Sequence, residues 1–143
     1  MTKPIKYSLG SVAPSVPKPD TPASRVASRL VTRLGLVPPI DIASVAGQYA
    51  QVERVSALPA GADAVTTSLK VAGVKPTILH SGSVSSNRTR FTLAHELGHI
   101  VLPWHIGVIV SHAQFGVVYP SGAYGEMEKE ANQFAAEFLA PSL

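Results

Sequence analysis

His95-Glu96-Leu97-Gly98-His99 is the stretch of this 143-residue chain best equipped for chemistry. On an α-helix, residues four apart lie about 40° apart around the axis and about 6 Å along it, so both imidazoles project from one face and can grip a single metal ion. Glu96 stands one residue from the first imidazole and three from the second. That spacing sets its carboxylate beside water held at the metal rather than on the metal, the arrangement of zinc hydrolases. The plain alternative is an amphipathic helix with two incidental histidines.

A catalytic zinc needs a third protein ligand and one open position for water. The chain has no cysteine, so disulfides and thiolate sites are excluded and the ligands must come from His, Asp and Glu. His105 follows His99 by six residues, the metzincin spacing, but that pattern has Gly three residues after the second His, and here Leu102 stands there. The other candidates are the acidic residues of 126–139, carried in by a second helix. Glu128 has Asn132 one turn later on the same face, placed to hydrogen-bond a ligating imidazole and fix its orientation. Glu130 lies about 200° around that helix from Glu128 and Glu126 sits at its start, so Glu128 is the expected third ligand. An ordinary acidic helix N-terminus, favoured by the helix dipole, is the competing explanation of this stretch. The developing oxyanion needs a further donor, with His105, His112, Tyr119 and Tyr124 as candidates between the two helices.

The elements that must position these groups can be read in order. Residues 1–19 hold Pro4, Pro14, Pro17 and Pro19 and predict a flexible or extended arm, with a single domain over 20–143. Asp20-Thr21-Pro22 starts a helix that Gly35 ends, with Val26, Leu30 and Leu34 as its expected buried stripe. Asp41 caps a second helix carrying Ile42, Val45, Ala46 and Tyr49. Residues 51–58 and 64–71, rich in Val and Thr, and 77–80 predict three strands in an antiparallel meander. Asn87 is the expected cap of the helix bearing the motif, and Pro103 its stop. Residues 104–125 predict a long loop, with a short strand at 107–110, and 126–139 a final helix with Ala131, Phe134, Ala135, Phe138 and Leu139 on one side. In a meander the third strand is an edge, so Thr77, Ile78, Leu79 and His80 are the expected docking strand for an extended peptide.

Charge narrows the partners. Residues 1–33 carry Lys3, Lys6, Lys18, Arg25, Arg29 and Arg33 against Asp20, a balance of +5, whereas the whole chain carries +3. The basic character therefore belongs to the arm and first helix. It reads as a solvated face, with contact to an acidic partner the sharper alternative; direct nucleic-acid binding is not expected, since no nucleic-acid motif accompanies it. No apolar run reaches the roughly 20 residues of a membrane span and no signal-peptide core opens the chain, so a soluble, cytoplasmic protein is expected.

Arg90-Phe-Thr-Leu-Ala-His-Glu-Leu-Gly-His99, followed by Glu128-x-Glu-Ala-Asn-x-Phe-Ala-Ala and a closing Leu-x-Pro, resembles the ImmA/IrrE family of metallopeptidases. The two motifs cover about a quarter of the chain, jointly and in the family's order. The resemblance implies an α+β fold, a reduced thermolysin-like zincin of gluzincin type, with N-terminal helices, a small three-stranded sheet and the motif helix packed on a Glu-bearing C-terminal helix. It implies one Zn2+, with Mn2+ the alternative, held by His95, His99 and Glu128, with Glu96 catalytic. It further implies a protein substrate, a DNA-binding repressor relieved by cleavage, in a bacterial, phage or mobile-element setting. Relatives that run longer carry additional domains, and a recognition region beyond the Leu-x-Pro position is expected to be missing here. The rival expectation is a regulator that keeps zinc for structure and acts by partner binding, with His105 closing a four-ligand site.

Overall fold

The computed structural model describes residues 20–106 and 121–141. The arm over 1–19, the strand expected at 107–110, His112 and Tyr119 lie outside the described residues.

The first helix, α1 (Pro22–Leu34), begins where its chemistry dictates. Thr21 and Ser24 bond reciprocally as a capping box, Pro22 opens the first turn, and Gly35 closes the helix in the left-handed conformation at φ 65°. Its buried face is Ala23, Ser24, Ala27 and Leu30, one step round from the expected stripe, and Val26 and Leu34 are only partly buried. Small residues on that face let α1 lie close against the C-terminal helix. Asp41 caps α2 (Ile42–Tyr49) through its side chain on the Ser44 amide.

Three strands follow, β1 (Gln51–Val55), β2 (Ala64–Thr67) and β3 (Thr77–Ser81), with a 3-10 turn at Pro59–Gly61 between the first two. Their order is β1-β3-β2: β3 pairs parallel with β1 and antiparallel with β2. This corrects two expectations. The sheet is mixed rather than an antiparallel meander, and Thr77, Ile78, Leu79 and His80 occupy its centre. Both sides of β3 are spent on neighbouring strands, so no peptide can pair with it. The cause lies in the link over 56–63, which is long enough to step across one strand position and leaves the middle place for β3.

The helix α3 (Ser86–Val101) carries the motif. Its cap is Ser85 rather than Asn87, with the Ser85 hydroxyl accepting from the Arg88 amide at 3.3 Å. Arg88 pairs with Asp63 at 2.8 Å, and Arg90 donates to the Ile40 carbonyl at 2.6 Å, so the first turns of α3 are tied to the sheet and to the entry of α2. The last helix, α4 (Ser121–Leu139), begins five residues earlier than its apolar period announces, because Gly122 and Gly125 hide the helical signal of its first turns. Ala131, Phe134, Ala135 and Phe138 are fully buried against α3 and α1, and the Phe134 and Phe138 rings stack at 5.4 Å. Gly98 explains how close α3 and α4 come. A Cβ there would lie 3.1 Å from the Phe134 ring, a contact so tight that the ring would have to give way by a few tenths of an ångström, and glycine leaves that space to Phe134. Among the described residues no helix is long and apolar enough to cross a membrane.

Candidate metal centre

Eight consecutive residues of α3, from Thr92 to His99, are buried, an unusual run for an amphipathic helix and the result of α4 on one side and the sheet on the other. Within it, His95 and His99 turn their Nε2 atoms to within 3.2 Å of each other. From α4, Glu128 brings Oε1 to 3.2 Å from His95 Nε2 and Oε2 to 2.7 Å from His99 Nε2. One donor atom from each of the three lies within 4.8 Å of the others, so the trio can hold a metal ion. The donor chemistry fits. Two imidazoles and a carboxylate are a zinc-type set, and bonds of about 2.0–2.2 Å to one ion would span donor separations of about 3.3 Å in a tetrahedron.

Each imidazole is backed on its far side. His95 Nδ1 sits 2.8 Å from Asn132 Oδ1, so its Nδ1–H donates to the amide and its Nε2 is left to face the trio. His99 Nδ1 meets His105 Nδ1 at 2.9 Å, and His105 Nε2 meets Glu130 Oε1 at 2.8 Å. His105 is completely buried and lies behind His99, with both ring nitrogens engaged away from the trio. It is not one of the three residues whose donor atoms converge. Tyr124 lies in the first turn of α4, while His112 and Tyr119 are outside the described residues.

Glu96, also fully buried, accepts a hydrogen bond from the Thr66 hydroxyl of β2. Sequence reasoning missed Thr66. Its only signal was strand alternation, which puts Ala64 and Thr66 on one face, and nothing local says which helix that face meets. Lys70 was missed as well. It holds the left-handed conformation at φ 54° in the β2–β3 connection and donates at 2.6 Å to the carbonyls of both His99 and His105. Those bonds cap the end of α3 and fix the chain that follows it. Burial pushes the Lys70 amine down to about 8.

The electrostatics of the trio follow from its contacts. Burial opposes the charge on Glu128, but the hydrogen bonds from His95 and His99 outweigh it and bring its pKa down to about 2. Burial likewise opposes a charge on His95, yet the bond to Glu128 and the charges of Glu96 and Glu128 raise it above the ordinary value. At His105 burial wins and the pKa is lowered, despite the Glu130 contact.

The profile of the IrrE N-terminal-like domain, Peptidase_M78, matches residues 53–142. The chain belongs to that family. The match begins within β1 and takes in the rest of the sheet, α3 and α4, so all the residues gathered at the trio fall within it. No curated protein and no solved structure shows significant similarity to the chain.

Proposed function

We propose that the protein is a zinc-dependent endopeptidase that holds its ion with His95, His99 and Glu128 and uses Glu96 as general base. One observation carries this reading: two imidazole nitrogens and a carboxylate converge beside a second carboxylate, fully buried, that stands outside the trio. When bound, zinc supplies Lewis acidity toward water and toward the carbonyl of the scissile bond, and Mn2+ would suit the same donors less well. Glu96 takes the proton of the attacking water and returns it to the leaving amine as the C–N bond breaks. The Thr66 hydroxyl on Oε1 holds the carboxylate plane for both transfers. Asn132 keeps His95 in the tautomer a cation requires.

The substrate is a protein, taken as an extended segment along β2. That strand pairs with β3 on one side, carries Thr66 against Glu96, and has no strand on its other side among the described residues. By family resemblance the substrate is a DNA-binding repressor, met in the cytoplasm of a bacterium or delivered with a phage or mobile element. Residues 20–143 work as one domain behind the arm of 1–19. The basic face of α1 is not a nucleic-acid surface in this reading: Arg25 pairs with Asp20 at 2.9 Å and Arg33 reaches the Tyr49 hydroxyl. A non-hydrolytic regulator with a closed four-ligand site would need His105 at the ion, and the engagement of both its ring nitrogens counts against that.

The test is Glu96→Gln. Zinc affinity, measured by chelator competition, is expected to stay within a few-fold, while cleavage of a co-incubated repressor, followed by mass spectrometry, falls by about 10²–10⁴-fold. Undiminished cleavage would remove Glu96 from the reaction, and failure of the unaltered protein to bind zinc would remove the metal centre.

A further inference from the structure

We propose that His105 and Glu130 act as positioning residues that lock His99 into its metal-binding tautomer, through a buried chain running from Glu130 to His105 to His99. The inference rests on the metal-centre reading above, and it concerns residues on which that reading makes no demand.

The hydrogen positions along this chain are forced from its outer end. Trp104 Nε1 lies 2.9 Å from Glu130 Oε1, and an indole N–H can only donate, so that oxygen is an acceptor. His105 Nε2, 2.8 Å from the same oxygen, must therefore carry a proton and donate it. A neutral imidazole with Nε2–H has a bare Nδ1. His99 Nδ1, 2.9 Å away, is then the donor of the pair, and once a cation replaces the proton shared with Glu128, His99 Nε2 is left with its lone pair for the ion that Glu128 and His95 also face. The opposite wiring would set a His105 lone pair against a carboxylate oxygen, or place an imidazolium inside a fully buried site whose backbone carbonyl already holds the Lys70 amine. Each contact that anchors His105 serves this end. Lys70 binds the carbonyls of His99 and His105 together, Leu102 accepts from the His105 amide at 3.0 Å, and Trp104 fixes Glu130. The two imidazoles of the trio thus reach the same tautomer by different means, His95 through one amide and His99 through a carboxylate relayed by a second imidazole.

The experiment reads nitrogen chemistry and metal affinity rather than hydrolysis. In the zinc-loaded protein, long-range 1H–15N correlation spectra are expected to show His99 protonated on Nδ1 and His105 protonated on Nε2. His105→Phe, which keeps the volume and removes both nitrogens, is expected to weaken Zn2+ about 10–100-fold by chelator competition and to alter the visible bands of the Co2+-loaded protein. Glu130→Gln, which keeps an acceptor oxygen and removes the charge, is expected to weaken Zn2+ less, by several-fold. His105 protonated on Nδ1 in the zinc-loaded protein, or a folded His105→Phe with unchanged affinity and Co2+ bands, would overturn the inference and leave the metal centre standing. Failure of the unaltered protein to bind zinc would overturn both.

Discussion

α3 and α4 meet over Gly98 and Phe134 and between them carry His95, His99, Glu128 and Asn132, whereas the sheet reaches the same place through the Thr66 hydroxyl. The helical half offers donor atoms on rigid, closely packed elements, where a shift of a few tenths of an ångström would spoil a shared coordination point. The sheet half offers an edge strand and one hydroxyl on the base. On the proposed function, the helices would hold the ion and the sheet would orient the base and the peptide. Changes in the two halves should then register in different measurements, metal affinity for one and turnover for the other.

The largest effect is expected from Glu128→Gln, which keeps the shape of the side chain and removes the carboxylate of the trio. Zinc affinity should fall by more than the about 10–100-fold that loss of an outer partner costs, and hydrolysis should be lost with it. Zinc bound with undiminished affinity would break the assignment of the helical half. Next comes Thr66→Val, nearly isosteric, on the sheet side. Zinc affinity is expected to hold within about twofold while kcat falls about tenfold, the cost of a lost hydrogen bond to a charged group. A matching loss of zinc affinity would erase the proposed division between the halves. Smaller again is Gly98→Ala. The added methyl meets a Phe134 ring that is fully buried and stacked on Phe138, so it cannot swing aside. Overpacking of about 1–3 kcal/mol outweighs the gain of about 1 kcal/mol in helix propensity, and the metal-free protein should melt several degrees lower. An unchanged or higher Tm would mean that α4 yields at this contact.

The same two halves differ in how far the sequence foretold them. The helical half was legible because its signals are local. Capping residues announced α1 and α2, the i, i+4 spacing put His95 and His99 on one face, and Glu128 with Asn132 shared another. Helix ends were less legible: Gly122 and Gly125 masked the first turns of α4, and Ser85 stood in for the expected Asn87. The sheet was misread in its order although its three strands were placed, since Val and Thr content marks a strand and says nothing about which neighbour it takes. That single non-local choice put residues 77–80 in the middle of the sheet, left β2 paired on one side only among the described strands, and brought Thr66 to Glu96. The distance of His105 along the chain suggests a ligand, but its place is set by the turn after α3 and by Glu130 and Lys70, three segments that meet only on folding.

The subtlest expectation concerns protons at the trio in the metal-free protein. The Glu128 carboxylate is held down to about 2, so in the folded state it stays ionised where an unfolded chain would begin to protonate. Its contribution to stability is therefore present above about pH 4.5 and is lost as pH falls towards about 2. His95 is raised, so its contribution runs the other way: it is full below about pH 6.5 and is lost as pH rises through the raised folded value. The metal-free protein should accordingly melt highest between these limits and soften on both sides. Zinc must displace the His95 proton, so once the pH is below that raised value zinc affinity should fall about tenfold per unit. Melting curves with and without zinc from pH 4 to 8 would sharpen the contrast between the halves. The gap between the two curves should widen with pH in the unaltered protein and in Thr66→Val alike, because the sheet takes no part in the competition between proton and metal. A gap that narrowed with pH would mean that His95 is not the group from which zinc takes its place.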